Sequence, residues 1–263
     1  MTTENPASVR NYPSMPAEAG RIEAAPRRVR GMLNGEVVFD TTSATYVWEV
    51  PYYPQYSIPV EDVDRRFLVD EHHQETLSLG VANRHGLRVG DVHREHVARV
   101  YEREAQPGIA GTVRFEWAAL DAWYEEDEEI FVHPRNPYTR VDALRSHRHV
   151  RIESNGVVLA ETASPVLLFE TGLPTRYYID KTDVRFEHLV RSDTVSSCPY
   201  KGTTTTYWSV RVEGTLQQDL AWVYDHPTTA LAPITGMVAF YNEAVDTVLD
   251  DRPLARPVTH FVD

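Results

Sequence analysis

This chain contains one stretch of itself twice. Residues 30–64 laid over residues 151–185, at a constant shift of 121 and without a gap, give eleven identities in thirty-five positions, where average residue usage predicts about two. The matched pairs are Arg30/Arg151, Asn34/Asn155, Gly35/Gly156, Val37/Val158, Thr41/Thr162, Ser43/Ser164, Glu49/Glu170, Tyr56/Tyr177, Ile58/Ile179, Asp62/Asp183 and Val63/Val184. The period is too long for a solenoid and marks a duplicated domain. Two copies of one fold act as an internal control, so chemistry is expected where their polar residues diverge. The reading is a flexible segment over 1–25, a first, degenerate repeat domain over 26–145 and a second repeat domain over 146–263.

Both copies open on the same hairpin signal. Asn34-Gly35 and Asn155-Gly156 separate short apolar runs, and Asn-Gly suits the positive φ angles of a type I′ turn. Further strands are expected over 166–170, 176–179, 204–213, 216–224, 237–241 and 244–249, where apolar residues alternate between Gly, Pro and Asn punctuation. Residues 95–104 suit either a short helix or a charged strand. The fold class is therefore all-β.

Composition narrows the function classes. A net charge of -13 repels phosphate backbones, and no basic patch offsets it, so no nucleic-acid partner is expected. No apolar run is long enough to span a bilayer, so no membrane partner is expected either. No hydrophobic signal segment opens the sequence, and the single cysteine, Cys198, leaves no internal disulfide, which together point to the cytoplasm. The first 25 residues, rich in Pro, Ala, Glu and Ser, carry too little apolar surface to offset ordering entropy.

After residue 64 the copies part. The second carries residues 193–202, ending Cys198-Pro199-Tyr200-Lys201-Gly202, then Tyr207-Trp208, Asp219 and Trp222 to Tyr224. The first has a longer stretch rich in histidine and arginine over 72–103; Trp117 aligns loosely with Trp222, Phe131 to Pro134 with Ala239 to Asn242, and Val141-Asp142 with Val245-Asp246.

These residues resemble the domain of unknown function 427 family, which some classifications label nucleotidyltransferase-like. Glu170-Thr171-Gly172-Leu173-Pro174, Tyr177-Tyr178-Ile179, Cys198 to Gly202 with Tyr207-Trp208, Trp222 to Tyr224 and Gly236 to Tyr241 carry the resemblance. It covers the whole second half, and the first half at its start and over 126–142. Asp180 departs from the family's proline, which the first copy keeps as Pro59. The resemblance implies two tandem β-tent-like domains, of the type shared with methionine sulfoxide reductase B and the thalidomide-binding domain. It fixes no reaction.

The sharpest candidates sit in the second copy. Cys198, held by Pro199 and three residues before Lys201, is a candidate nucleophile if the ammonium favours its thiolate; the bland reading is a small buried hydrophobe. Lys201 is expected beside a pocket mouth, reaching a ligand or a carboxylate such as Glu170 or Asp193. Glu170, Arg176, Tyr178, Tyr200, Trp208, Trp222 and Tyr224 are candidate ligand-binding residues, with plain core packing as the alternative for the aromatics. Any ligand pocket is expected to centre on the second copy, with the first as scaffold or covering wall.

Other chemistries find thinner support. His93 and His96 suit a shared metal only on a helix, beside His72, His73 and His85 in a charged stretch, so no metal site is assigned. Nucleotide transfer lacks a glycine-rich loop entering a helix, although Lys201-Gly202 before four threonines can contact an anion. The expected function is a small-molecule-binding protein or enzyme around Lys201 and Cys198, its cofactor unknown and its ligand polar or anionic. A non-catalytic interaction module and nucleotidyltransferase-like activity are the alternatives.

Overall fold

The computed structural model describes residues 17–259, which are almost entirely β-strand and short 3₁₀ turns. They divide into two compact units, 17–137 and 138–259. Each unit holds a seven-stranded and a four-stranded sheet, and every strand pairing is antiparallel. This is the all-β, duplicated architecture that the ungapped repeat predicts.

The small sheets begin with the expected hairpins. Val29–Leu33 pairs with Glu36–Thr41, and Val150–Ser154 with Val157–Thr162. The turn residues have φ of 51° and 78° at Asn34 and Gly35, and 51° and 77° at Asn155 and Gly156. Positive φ at both central positions is the geometry Asn-Gly tolerates best. Alternate residues of Val29–Leu33 and of Val150–Ser154 are buried, so each hairpin lays one face on a core.

One core contact shows how the copies exchange volume. In the first, a Cβ on Gly31 would collide with the ring of Phe39, which also packs on Phe115 and Trp123 at 5.4 and 5.3 Å. The equivalent pair in the second copy is Ile152 beside Ala160. The large side chain has moved across the hairpin while the cavity it fills is kept.

The large sheets differ most in length. The first copy runs Leu68–Leu77, Gly80–Val89 and Val92–Tyr101 as a meander of three ten-residue strands; the second runs Leu189–Ser192, Thr206–Val212 and Thr215–Val223. Residues 95–104 are thus mostly strand, not helix. His93 and His96 lie on an extended chain broken by a positive φ of 61° at His96, not on one helical face.

Register fixes the equivalences that sequence left loose. Arg84, Arg99, Arg114 and Ser57 are cross-strand neighbours in the first sheet, as Tyr207, Trp222, Ala239 and Tyr178 are in the second. Trp222 therefore corresponds to Arg99, not Trp117. The counterpart of Val238–Phe240 is Thr112–Phe115, not residues 131–134. Val141–Arg145 pairs with Val166–Glu170, so it opens the second unit instead of closing the first. Within the N-terminal segment, Ile22–Ala24 is not a flexible lead-in but an edge strand against Thr45–Val47; residues 1–16 lie outside the described range.

Candidate functional site

The copy-specific Cys-Pro-Tyr-Lys-Gly segment folds as a small hairpin, Ser197–Cys198 against Gly202–Thr203. Gly202 adopts φ of 95°, a backbone conformation that residues with a Cβ rarely adopt, so the turn favours glycine here. Thr204 donates its backbone N–H to Ser196 O at 2.9 Å, and Thr228 donates its N–H to Lys201 O and its hydroxyl to Tyr200 O at 3.1 and 2.7 Å. Polar threonines anchor the loop here, where a strand reading alone would see only β-propensity.

This hairpin puts Lys201 inside the protein. Its side chain is 10 % exposed and pairs directly with Glu170, whose side chain is 7 % exposed. Lys201 Nζ also lies 3.6 Å from Cys198 Sγ, and Cys198 itself is half-buried. Burial works against the Lys201 charge, but Cys198 and Glu170 outweigh it, so the ammonium pKa rises above its ordinary value. The lysine thus reaches a carboxylate, and it does so in the interior, not at a pocket mouth.

An aromatic wall continues from this pair. Tyr178, Tyr207, Trp222 and Tyr224 share one buried cluster, with Tyr241 packed against it. Trp222 Nε1 donates to Tyr178 Oη at 3.4 Å, and Tyr207 Oη lies 2.8 Å from Ser196 Oγ. Burial pushes the Tyr178 phenol up to about 12 and Tyr224 beyond the ordinary phenol range. Both hydroxyls stay protonated at neutral pH and act as neutral hydrogen-bonding groups.

Arg176 builds the other end of the wall. Its guanidinium makes a two-pronged ion pair with Glu243, donates to Asn242, and lies 5.8 Å from the Trp222 ring centroid and 5.4 Å from that of Tyr241. Such a buried fork is held by charge-assisted hydrogen bonds and ring contact together. Glu170, Arg176, Tyr178, Trp222 and Tyr224 therefore fall along one region with Lys201 and Cys198. Tyr200 is half-buried beside them, tied through its carbonyl.

Trp208 does not belong there. It lies on the opposite sheet face, packed against the other core and edge-on to Phe186 at 5.6 Å. Strand alternation places its neighbour Tyr207 across from Trp222 instead. Tyr207, Tyr241 and Glu243 are the residues sequence reasoning missed; the period of two was the signal for Tyr207. Glu243 carried no signal, because it follows the strand in a turn.

The first copy shows what the same face looks like without this centre. Glu49, equivalent to Glu170, accepts from Arg114 at 3.0 Å. Arg114 and Arg99 share Glu116 at 2.7 and 2.6 Å, Arg99 reaches Glu75 at 3.0 Å, and Arg84 reaches Glu71 at 2.6 Å. A closed ladder of arginines and glutamates replaces the tyrosines and tryptophan.

The family model for a domain of unknown function (DUF427) matches residues 21–126 and again residues 142–251. The chain belongs to the DUF427 family. Its two matches coincide with the two structural copies, so this is a tandem DUF427 protein. Comparison with curated proteins gives no match. No helix among the described residues is long and apolar enough to cross a membrane.

Cavities fall differently from the sequence expectation. An open surface groove of about 620 Å³ lies within the first DUF427 copy, lined by residues between Val60 and Gly111. One in the second copy, near Pro174 and Asn242, holds about 50 Å³ and touches neither Lys201 nor Cys198. Neither of these two hollows touches Lys201 or Cys198, around which the sequence expectation centred a ligand pocket. The physical reason is that Tyr178, Tyr207, Trp222 and Tyr224 pack together in one buried cluster and Lys201 is itself buried. Among the described residues no three His, Cys, Asp or Glu side chains converge as a metal site requires.

Proposed function

We propose that the second DUF427 domain is a small-molecule-binding or enzymatic unit whose reacting group is the Cys198 thiol. The supporting observation is that Lys201 Nζ pairs with Glu170 and lies 3.6 Å from Cys198 Sγ, in a hairpin the first copy lacks. The ammonium lies within hydrogen-bonding reach of the sulfur, and a cysteine sulfur is the nucleophile that attacks electrophilic carbon. Glu170 holds the ammonium in place. Because its pKa is raised, Lys201 stays charged throughout and acts on sulfur electrostatically, not as a proton donor. Tyr178 and Tyr224, buried and kept neutral by that burial, form the packed wall behind the thiol. Half-exposure of Cys198 gives a small electrophile access.

A second reading has an observation of its own. Lys201 is nine-tenths buried and already paired, which suits a structural ion pair that pins the hairpin in a non-catalytic module. The test is a thermal-shift screen of metabolites and nucleotides before and after alkylation of Cys198. A ligand at a hundredfold its dissociation constant stabilises by about 2.7 kcal/mol. Stabilisation abolished by alkylation supports the thiol site, and a nucleotide hit of this kind assigns nucleotide chemistry to it. Ligands that stabilise the alkylated protein equally well place function elsewhere and favour the module.

A further inference from the structure

We infer that the second domain binds an ordered water molecule beneath its C-terminal segment, with the Thr247 hydroxyl as its anchor. The hollow near Pro174 measures about 50 Å³, and Thr175, Tyr177, Asn242, Thr247 and Leu254 are on its lining. One water needs about 10–15 Å³ of such space and a few polar partners.

The first copy shows how the space arises. Trp123 is the cross-strand neighbour of Gly31, and Thr247 is that of Ile152. The shift of 121 equates Gly31 with Ile152, so Thr247 is the counterpart of Trp123. In the first copy the Trp123 ring packs on Phe39 and Tyr56 at 5.3 and 6.2 Å. The counterparts of those two are Ala160 and Tyr177. Two large rings are thus replaced by threonine and alanine, and Ile152 in place of Gly31 returns only part of their volume. The hollow that remains is lined by Tyr177 and Thr247, the counterparts of the stacked Tyr56 and Trp123.

Polarity decides the occupant. Thr247 is 4 % exposed and lies on the core face beside Ile152. Its hydroxyl has no hydrogen-bond partner among the described residues. A buried hydroxyl left in that state is costly, and a water in the adjoining hollow satisfies it. The Asn242 side-chain carbonyl accepts from Arg176 and keeps a second lone pair, while Thr175 adds a hydroxyl to the lining. An apolar occupant would leave the Thr247 hydroxyl unmet. The water also bears on the Arg176 fork. Leu254 donates its N–H to Thr247 O at 2.8 Å, and further along the same segment Thr259 donates to Glu243, the partner of Arg176, at 2.6 Å. A water at Thr247 therefore fastens the strand end from which the chain runs on to Glu243.

The test is a high-resolution crystal structure of the full chain, with melting curves of Thr247→Val and Thr247→Ser. A solvent peak is expected about 2.5–3.0 Å from Thr247 Oγ1. Valine keeps the shape and removes the hydroxyl, so the peak should vanish and the second unit should melt about 4 °C lower, the worth of one hydrogen bond. Serine keeps the hydroxyl and should keep the peak. The absence of a peak in the parent, a peak that persists in Thr247→Val, or a Thr247→Val variant that melts above the parent would each overturn the assignment. The last of these is what removing an orphan hydroxyl predicts.

Discussion

Replacing Lys201 by methionine removes one charge from a buried pair and leaves the other. The Glu170 side chain is 7 % exposed and its partner 10 %, so the stranded carboxylate has little access to water. Breaking a buried ion pair from one side costs about 3–5 kcal/mol. For a unit of this size each kcal/mol moves the melting temperature by about 4 °C, so a fall of about 12–20 °C is expected for the second unit. Calorimetry measures the fall, and hydrogen exchange read by mass spectrometry localises it to peptides around Trp222 and residues 193–204. Adding Glu170→Gln to Lys201→Met removes the stranded charge and should recover at least half of the loss. The pH dependence has a definite sign. A raised folded-state pKa means that the lysine's contribution is fully present below the unfolded value of 10.5 and fades only as pH rises through the higher folded value. The deficit of Lys201→Met should therefore be constant from neutral pH to about pH 9. A melting temperature within 3 °C of the parent would refute the burial argument, as would a double variant no better than the single one.

The core exchange and the acidic ladder give two further expectations. Gly31→Ile alone should destabilise the first unit by about 3 kcal/mol through collision with Phe39 and Leu120, whereas Gly31→Ile/Phe39→Ala, which copies Ile152 and Ala160, should recover the Phe39 part of it in a double-mutant cycle; additive losses on urea unfolding would contradict the register. Glu71 is opposed by burial, yet the His96 backbone N–H and side chain with Arg84 pull its pKa down to about 2. Its stabilising contribution is present above the unfolded value of 4.5 and lost as pH falls toward 2, so Glu71→Gln should flatten the acid limb of a stability profile, and an unchanged limb would count against the ladder.

The parts of this fold legible in sequence are those set by local chemistry. Asn-Gly fixed both hairpins because few other residue pairs accept two positive φ angles, and the shift of 121 carried the equivalence as far as Val63 and Val184. Beyond that point the strands change length, and the sheet face changes from arginine and glutamate to aromatic rings. Arg99 and Trp222 share a position but no chemistry, so a tryptophan-to-tryptophan alignment chose Trp117 wrongly. Glu170 and Asp193 were both open as partners of Lys201 from residue types, because a lysine next to glycine among aromatic strand residues is costly to bury unpaired. Its depth was not legible, since burial depends on the hairpin that Thr204 and Thr228 tie down. The first-copy groove was invisible for a similar reason: a hollow arises from what two packed surfaces fail to fill, and no single residue announces it.

The claim that Cys198 is an activated thiol rests on one contact, Lys201 Nζ to Sγ at 3.6 Å, and the chain's single cysteine lets alkylation report on it alone. The decisive measurement is the iodoacetamide rate at pH 7 for the folded protein, the urea-unfolded protein, Lys201→Arg and Lys201→Met. An activated centre predicts a folded-state rate above that of the unfolded thiol despite partial burial, largely retained in Lys201→Arg and about tenfold lower in Lys201→Met. A folded rate below the unfolded one, and indifferent to the charge at position 201, would show that the sulfur is packing and that the proposed centre is not reactive.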